Sequence, residues 1–336
     1  MNDSLFSKAA ALDKAANQPD SGKLTAHQRL FAHLGITPIM LYVVVFSLLP
    51  ILWALTMSFF NYTPVRQGGW FLGLGEENPF VGFKNYLELF SGRSKPATVF
   101  RQAVWNTFLF TALVVPLNLL VTLPLAVMLE SVRERFKILF RAIYFLPTIS
   151  SSIAVTIIWA YMYAPGYGLL SEMVRLVGLT PPKSWLQDPR AMVLGVPLAM
   201  ICVVVAHVWQ DFGYNLVIFL AALQSIPATL REAAYIDGAN PFQAFWYVVI
   251  PLMRRTILFS SVWTVLSSLQ VFVIFQQLSR GGPRNQTQTM LLSIYENAFV
   301  FANNLGLAAA MSILLFIIIL VLTAIQFRVL RSEWEY

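Results

Sequence analysis

Cysteine is nearly missing from this chain: Cys202 is the only one in 336 residues. An internal disulfide and a cysteine metal cluster are therefore both excluded. Histidine is scarce as well, and His27, His33 and His207 do not stand at metal-ligand spacing. No Gly-rich run ending in Gly-Lys-Ser/Thr occurs, so the usual phosphate cradle for ATP is missing. Nothing in the local sequence suggests a Ser/His/Asp or Cys/His set. Charge is the largest deficit, with 12% Asp, Glu, Lys and Arg against about 25% in an ordinary soluble domain. These absences disfavour an enzyme, and no cofactor or metal is expected on this chain itself.

Apolar residues take the place of the missing charge. They make up 57% of the chain, and the mean hydropathy is +0.66. Six stretches stand out: 39–60, 105–129, 142–163, 191–223, 257–275 and 305–327. Each is near or above the roughly 20 residues that a helix needs to cross a bilayer. Their apolarity is continuous rather than alternating, which argues against a β-barrel. The expectation is an all-α polytopic membrane protein of six transmembrane helices. The first stretch lies behind a polar segment and is full length, so it reads as a retained span rather than a cleaved signal. Residues 1–33 form an N-terminal segment in which 24–34, with Leu30, Phe31 and Leu34 at helical spacing, suits a short interfacial helix. Residues 34–336 read as one membrane domain.

The formal net charge is +7, yet nucleic acid is not the expected partner. Basic residues flank the spans, where they set topology. Lys8, Lys14, Lys23 and Arg29 precede the first stretch; Arg133, Arg135, Lys137 and Arg141 crowd the second connection; Arg254, Arg255, Arg328 and Arg331 follow later ones. Placing these segments in the cytoplasm puts both termini on that side; the opposite side also carries basic residues, among them Arg66, Lys84, Arg93, Arg175 and Arg280, but over longer loops, so the bias is modest.

One polar insert, at about 224–256, is too patterned to be a plain connector. Ser225 and Pro227 open a short helix through Glu232, Ala233 and Ala234. Gly238 breaks it. Asn240 and Pro241 open a second helix, with Gln243 placed for a capping box, and Pro251 closes the unit. Such a cytoplasmic helix-turn-helix offers a small-residue face (Ala233, Ala234, Gly238) for close approach to a partner, with Glu232 supplying a charge. The competing reading is an amphipathic connector anchored on lipid by Phe242, Phe245 and Trp246.

Polar residues inside the spans are the other candidates. A charge at mid-bilayer costs about 2.5–3.5 kcal/mol on insertion scales, so it normally faces a cavity or a partner. His207 and Asp211 stand four apart, on one helix face. Asp211 belongs to Trp209-Gln-Asp-Phe-Gly-Tyr-Asn215, a cluster that suits sugar: carboxylate and amide for hydroxyls, aromatic faces for C–H edges. Candidate solute-path residues are Trp209, Asp211, Tyr214, Asn215, Gln270 and Gln276. Interhelical hydrogen bonding is an equal alternative for them, as for Asn118 and Gln277. Pro116 and Pro124 are expected to kink the second span.

The spacing Glu232-Ala-Ala, three residues, Gly238, nine residues, Val248-x-Ile-Pro251 resembles the EAA loop of ABC importer permeases. Gly82-Phe-Lys-Asn-Tyr86, Asn106-Thr107, Phe145-Leu-Pro147, Trp185-Leu-Gln-Asp-Pro189, Leu220-Ala-Ala-Leu-Gln224 and Gly281-Gly-Pro283 extend it. The chain from Leu34 onward is similar to the maltose-type permeases of binding-protein-dependent ABC importers. The departures are small: Ser279 before the double glycine, Ala222 where glycine is common, and Val248-x-Ile250 for Ile-x-Leu. The resemblance implies a second homologous permease, two cytoplasmic ATPase subunits carrying ATP and Mg, and an extracytoplasmic solute-binding protein. It further implies alternating access, residence in a bacterial inner membrane, and transmission of ATPase movement through Glu232, Ala233, Ala234, Gly238 and Pro251. The substrate class it implies is sugar, oligosaccharide, polyol or glycerol phosphate derivative. An ion- or proton-coupled secondary transporter stands as the alternative. It would show charge pairs within spans or an inverted repeat, and neither is evident.

Overall fold

The computed structural model describes residues 26–63, 75, 77–301 and 304–329. It divides into two compact units, Met1–Ala54 and Leu55–Tyr336. Four helices are long and apolar enough to cross a membrane: Leu34–Met57, Lys95–Glu130, Leu198–Gln224 and Leu305–Val329. Two bent pairs, Glu134–Ile149 with Ser152–Met162 and Pro241–Leu252 with Arg254–Leu269, raise the number to six if each is one span.

In the first unit the helix expected to end at residue 34 does not end there. Ala26–Val43 is continuous and passes through a π turn, Val44–Leu48, into Leu49–Met57. Of the expected N-terminal segment, residues 1–25 lie outside the described residues. The π turn has a local cause. Pro50 has no N–H for the Phe46 carbonyl and its ring crowds that group, so the Leu49 N–H reaches back five residues to the Val44 carbonyl. The same device recurs before Pro251, where the Ile250 N–H donates to the Phe245 carbonyl.

The second unit is built on two parallel helices. Lys95–Glu130 has 36 residues, about 54 Å at 1.5 Å per residue, and starts from a Ser94 cap whose hydroxyl accepts from the Ala97 N–H at 3.3 Å. It contains Pro116 and Pro124 without a break. Leu198–Gln224 packs along it. One core joins Phe110 and Val114 to Val203, Ala206 and Phe275. A second joins Leu123, Ala126 and Leu129 to Leu216, Leu220 and Leu223 nearer the other end. A third core, with Phe100, Met290, Leu307 and Met311, seats Leu305–Val329.

Three expected spans start or break differently. The fourth begins at Leu198 rather than 191, because Leu194 and Gly195 both take positive φ and turn a two-residue hairpin between Met192–Val193 and Val196–Pro197. The third bends by 97° where Ser150 and Ser151 adopt extended ψ values. The fifth stops at Leu269; Ser267 and Ser268 turn their hydroxyls back onto the Thr264 and Val265 carbonyls, a competing local bond that weakens the last turn. The chain then unwinds through Gln270–Phe272 and ends in a π turn, Phe275–Ser279.

Gly213 permits a close approach of Leu198–Gln224 to Glu134–Ile149. A Cβ there would stand 2.5 Å from Thr148 Oγ1 and 2.6 Å from the Tyr144 carbonyl oxygen. Small residues are the means by which membrane helices reach such contact. Gly213→Leu is expected to add about 1–3 kcal/mol of overpacking strain, read as a lower thermal midpoint in detergent. An unchanged midpoint would contradict this packing.

Candidate functional site

The two interrupted spans and the unbroken Leu198–Gln224 helix meet at a cavity of about 320 Å³. Its lining is polar: Thr148 and Ser152 from either side of the 97° bend, His207, Gln210 and Asp211 from the central helix, and Gln270 with the unwound strip through Ile274. Thr148 Oγ1 donates to the Gln210 carbonyl at 2.8 Å, and Gln210 Nε2 donates to Ser152 Oγ at 2.9 Å. These bonds fix one wall. On the other, His207 Nε2 and Asp211 Oδ2 are buried without a hydrogen-bond partner from the chain. Buried polar atoms in that state are costly unless something else fills the bond. Among the described residues, no lysine or arginine lines the cavity.

Of the six sequence candidates, the structure brings Asp211 and Gln270 into this cavity. Trp209 packs edge-on against Trp159, with centroids 5.9 Å apart. Tyr214 stacks on Trp263 at 4.9 Å. Gln276 is half-buried in the terminal π turn. Asn215 is fully buried and its side chain is spent between helices: Nδ2 donates to Asn118 Oδ1 at 2.7 Å and Thr264 Oγ1 at 2.9 Å, while Ser260 donates to its Oδ1 at 2.7 Å. This is the interhelical role left open for it by the sequence. Thr148, Ser152 and Gln210 were not among the candidates. The signal for Thr148 and Ser152 was the polar interruption Thr148-Ile-Ser-Ser-Ser152 inside an apolar stretch, and Gln210 stands within the Trp209–Asn215 cluster.

The 224–256 insert forms a second exposed feature. Helix Ala228–Ile236 ends in a Schellman motif: Ala239 N–H donates to the Ala234 carbonyl and Gly238 N–H to the Tyr235 carbonyl. Gly238 has φ +86° with open space around it, so backbone conformation rather than crowding requires glycine. Asn240 and Gln243 form a reciprocal capping box, at 2.8 and 2.9 Å. Glu232 and Ala233 are exposed and Ala234 is half-buried. Tyr235, Ile236, Phe242, Trp246 and Tyr247 leave large apolar surfaces uncovered. The inner side, with Ala244, Val249 and Met253, is buried, and Val249 and Met253 join the core of Leu129 and Leu223. Pro251 does not close the unit as expected. It lies within Ile250–Leu252, its missing N–H accommodated by the π turn before it, and the 74° turn comes at Met253.

At the far end, Asn106 and Thr107 clamp the 281–289 loop. Asn106 Nδ2 donates to the Asn285 and Gln288 carbonyls at 2.8 and 2.9 Å, and Thr107 Oγ1 accepts from the Met290 N–H at 3.0 Å.

Residues 122–333 match the family described as "Binding-protein-dependent transport system inner membrane component". The chain belongs to this family. It is similar to the lactose transport system permease protein LacF of Rhizobium radiobacter, 32% identical over 303 residues, covering 89% of this chain and 94% of that one. It is likewise 32% identical to the sn-glycerol-3-phosphate transport system permease protein UgpA of Yersinia pestis, covering 84% and 92%. Among solved structures it shares its fold with a chain of a bacterial ABC transporter involved in the import of the acidic polysaccharide alginate, at TM-score 0.73 and 21% identity over 91% of this chain and 96% of that one. As a member of the family it is a multi-pass membrane permease, and the EAA-type loop is the exposed element just described.

Packing separates two kinds of polar residue: Asn215 is bonded between helices, and Gln270 borders the cavity. Asn215→Ala is expected to take the acceptor from Ser260 Oγ and one donor each from Asn118 Oδ1 and Thr264 Oγ1, costing about 1–3 kcal/mol and lowering the thermal midpoint. Gln270→Ala, which borders an open cavity, is expected to leave the midpoint near the parent's. Equal losses for both in a detergent melt would contradict the division.

Proposed function

We propose that this chain is one permease of an ATP-driven importer and passes a neutral carbohydrate or related polyol through the 320 Å³ cavity. The observation that carries the reading is the cavity's composition. A carboxylate, two amides, two hydroxyls and an imidazole converge where two spans are interrupted, and no cation is among them. Broken helices at a buried site expose backbone groups to a solute while keeping them from lipid. Hydroxyls of a sugar satisfy Asp211 Oδ2 and His207 Nε2, whereas a phosphate or carboxylate would meet Asp211 without a countercharge. The relatives named for lactose and for sn-glycerol-3-phosphate bracket the choice, and the chemistry favours the uncharged kind.

The partners are a second homologous permease, two cytoplasmic ATPase subunits that bind ATP and Mg, and an extracytoplasmic binding protein. A solved relative of the same fold is in complex with an alginate pentasaccharide-bound periplasmic protein. The 224–256 loop and both termini are cytoplasmic. In this reading the exposed face of Ala228–Ile236 and Phe242–Tyr247 seats on an ATPase subunit. Closure of the ATPase pair moves the loop, and the buried Val249 and Met253 pass the movement to the ends of the two parallel helices. The cavity then opens alternately to either side.

The test is solute-stimulated ATPase activity of the assembled, reconstituted transporter. Gly238→Pro, which removes the N–H bonded to Tyr235 and forbids the left-handed φ, is expected to abolish stimulation. Gly238→Ala, at about 1–2 kcal/mol of left-handed strain, is expected to reduce it. Full stimulation of a Gly238→Pro assembly that still co-purifies would remove the loop from the mechanism. Within the cavity, Asp211→Asn is expected to raise the solute concentration needed for half-maximal stimulation while leaving basal ATPase activity unchanged. An unaltered solute dependence would take Asp211 out of the path.

A further inference from the structure

Two short helices at the end opposite the 224–256 loop carry an uncovered apolar face that neither solute passage nor coupling uses. Lys84–Ser91 precedes the long helix at its Lys95 end, and Leu169–Leu176 precedes the segment that leads into the central helix. Each divides its surface into three faces rather than the usual two. In the first, Asn85 and Leu89 are buried, and Asn85 Nδ2 donates to the Ser58 and Phe60 carbonyls at 2.8 and 3.0 Å. Lys84, Glu88 and Ser91 make a polar face. Phe83, Leu87 and Phe90, spaced by four and three, make an apolar face that is 68–75% exposed.

The second helix repeats the arrangement. Ser171 is buried and accepts from Trp185 Nε1 at 2.9 Å. Glu172 and Arg175 pair on a charged face. Leu169, Met173 and Leu176 again stand four and three apart on an exposed apolar face, with Leu176 86% exposed.

We propose that these two helices lie in the headgroup boundary of the leaflet opposite the coupling loop, each seating its third face against phospholipid acyl chains. A helix with two faces is enough at a protein–water boundary. Three faces are needed only where protein, water and hydrocarbon meet, and aromatic and aliphatic residues beside charges are the composition of that zone. The neighbour of Leu169–Leu176 is an apolar span segment that also leaves a stripe uncovered. The helix packs on Ser152–Met162, whose Ile153, Ile157 and Tyr161 are exposed at every fourth position. Near the first helix Phe80 is exposed as well, and Trp105 stands exposed on the long helix that follows. Left in water, such clustered aromatics would form an adhesive patch.

The test uses nitroxide labels on a Cys202→Ala background, in the transporter with its co-expressed subunits in phosphatidylcholine/phosphatidylglycerol nanodiscs. Leu87→Cys and Leu176→Cys report the apolar faces, Lys84→Cys and Glu172→Cys the polar ones. Collision with molecular oxygen, which partitions into lipid, is compared with collision with a water-soluble nickel chelate. The expected result is oxygen exceeding chelate several-fold at 87 and 176, with the ratio reversed at 84 and 172. Chelate access at 87 and 176 would place these faces in water and overturn the proposal. Exclusion of both reagents there would show a protein partner covering them and overturn it equally. The outcome does not depend on which solute is carried.

Discussion

A peptide group in hydrocarbon has no water to bond, so a spanning segment must satisfy its own backbone or hide the failure inside the protein. The rest of this structure follows from that constraint. Two helices, Lys95–Glu130 and Leu198–Gln224, run unbroken and share two cores, from Phe110 to Leu129 of the first. Two span interruptions, at Ser150–Ser151 and Gln270–Phe272, adjoin the central helix, and Thr148 and Ser152 beside the first and Gln270 in the second border one cavity. Irregular backbone and buried polar side chains coincide because one location tolerates both.

The unbroken pair also explains how distant ends are kept in register. At one end the 224–256 loop roots Val249 and Met253 among Leu129 and Leu223. At the other, Asn106 and Thr107 bind the backbone of the 281–289 loop. Between them Asn215 ties the two helices and the fifth span through Asn118, Thr264 and Ser260. A rigid frame with an interrupted span on either flank is suited to moving as a body while the flanks rearrange.

How much of this was legible in the sequence depended on how local the cause was. The loop's turn was readable because Gly238, Asn240 and Gln243 act on neighbours within a few residues, and the capping box formed as their spacing implied. The later start of the fourth span was not, since Leu194 at positive φ is an uncommon choice for a β-branch-free but bulky residue. The break at Gln270 carries no proline or glycine and depends on serine hydroxyls competing for carbonyls. Among the intramembrane polar residues, composition alone made Asp211 and Asn215 equivalent. Tertiary packing separates them, giving Asn215 three partners and leaving Asp211 Oδ2 with none.

The central claim is that this permease works only as part of an ATP-driven assembly docked at the exposed face of the 224–256 loop. The most direct measurement is a mild-detergent purification of the tagged chain from its native host, with co-purifying subunits identified by mass spectrometry. Recovery of an ATPase and a second permease, both lost when Tyr235, Ile236 and Phe242 on that face are changed to aspartate, is the predicted result. A chain that purifies alone and transports solute in liposomes without nucleotide would contradict the account.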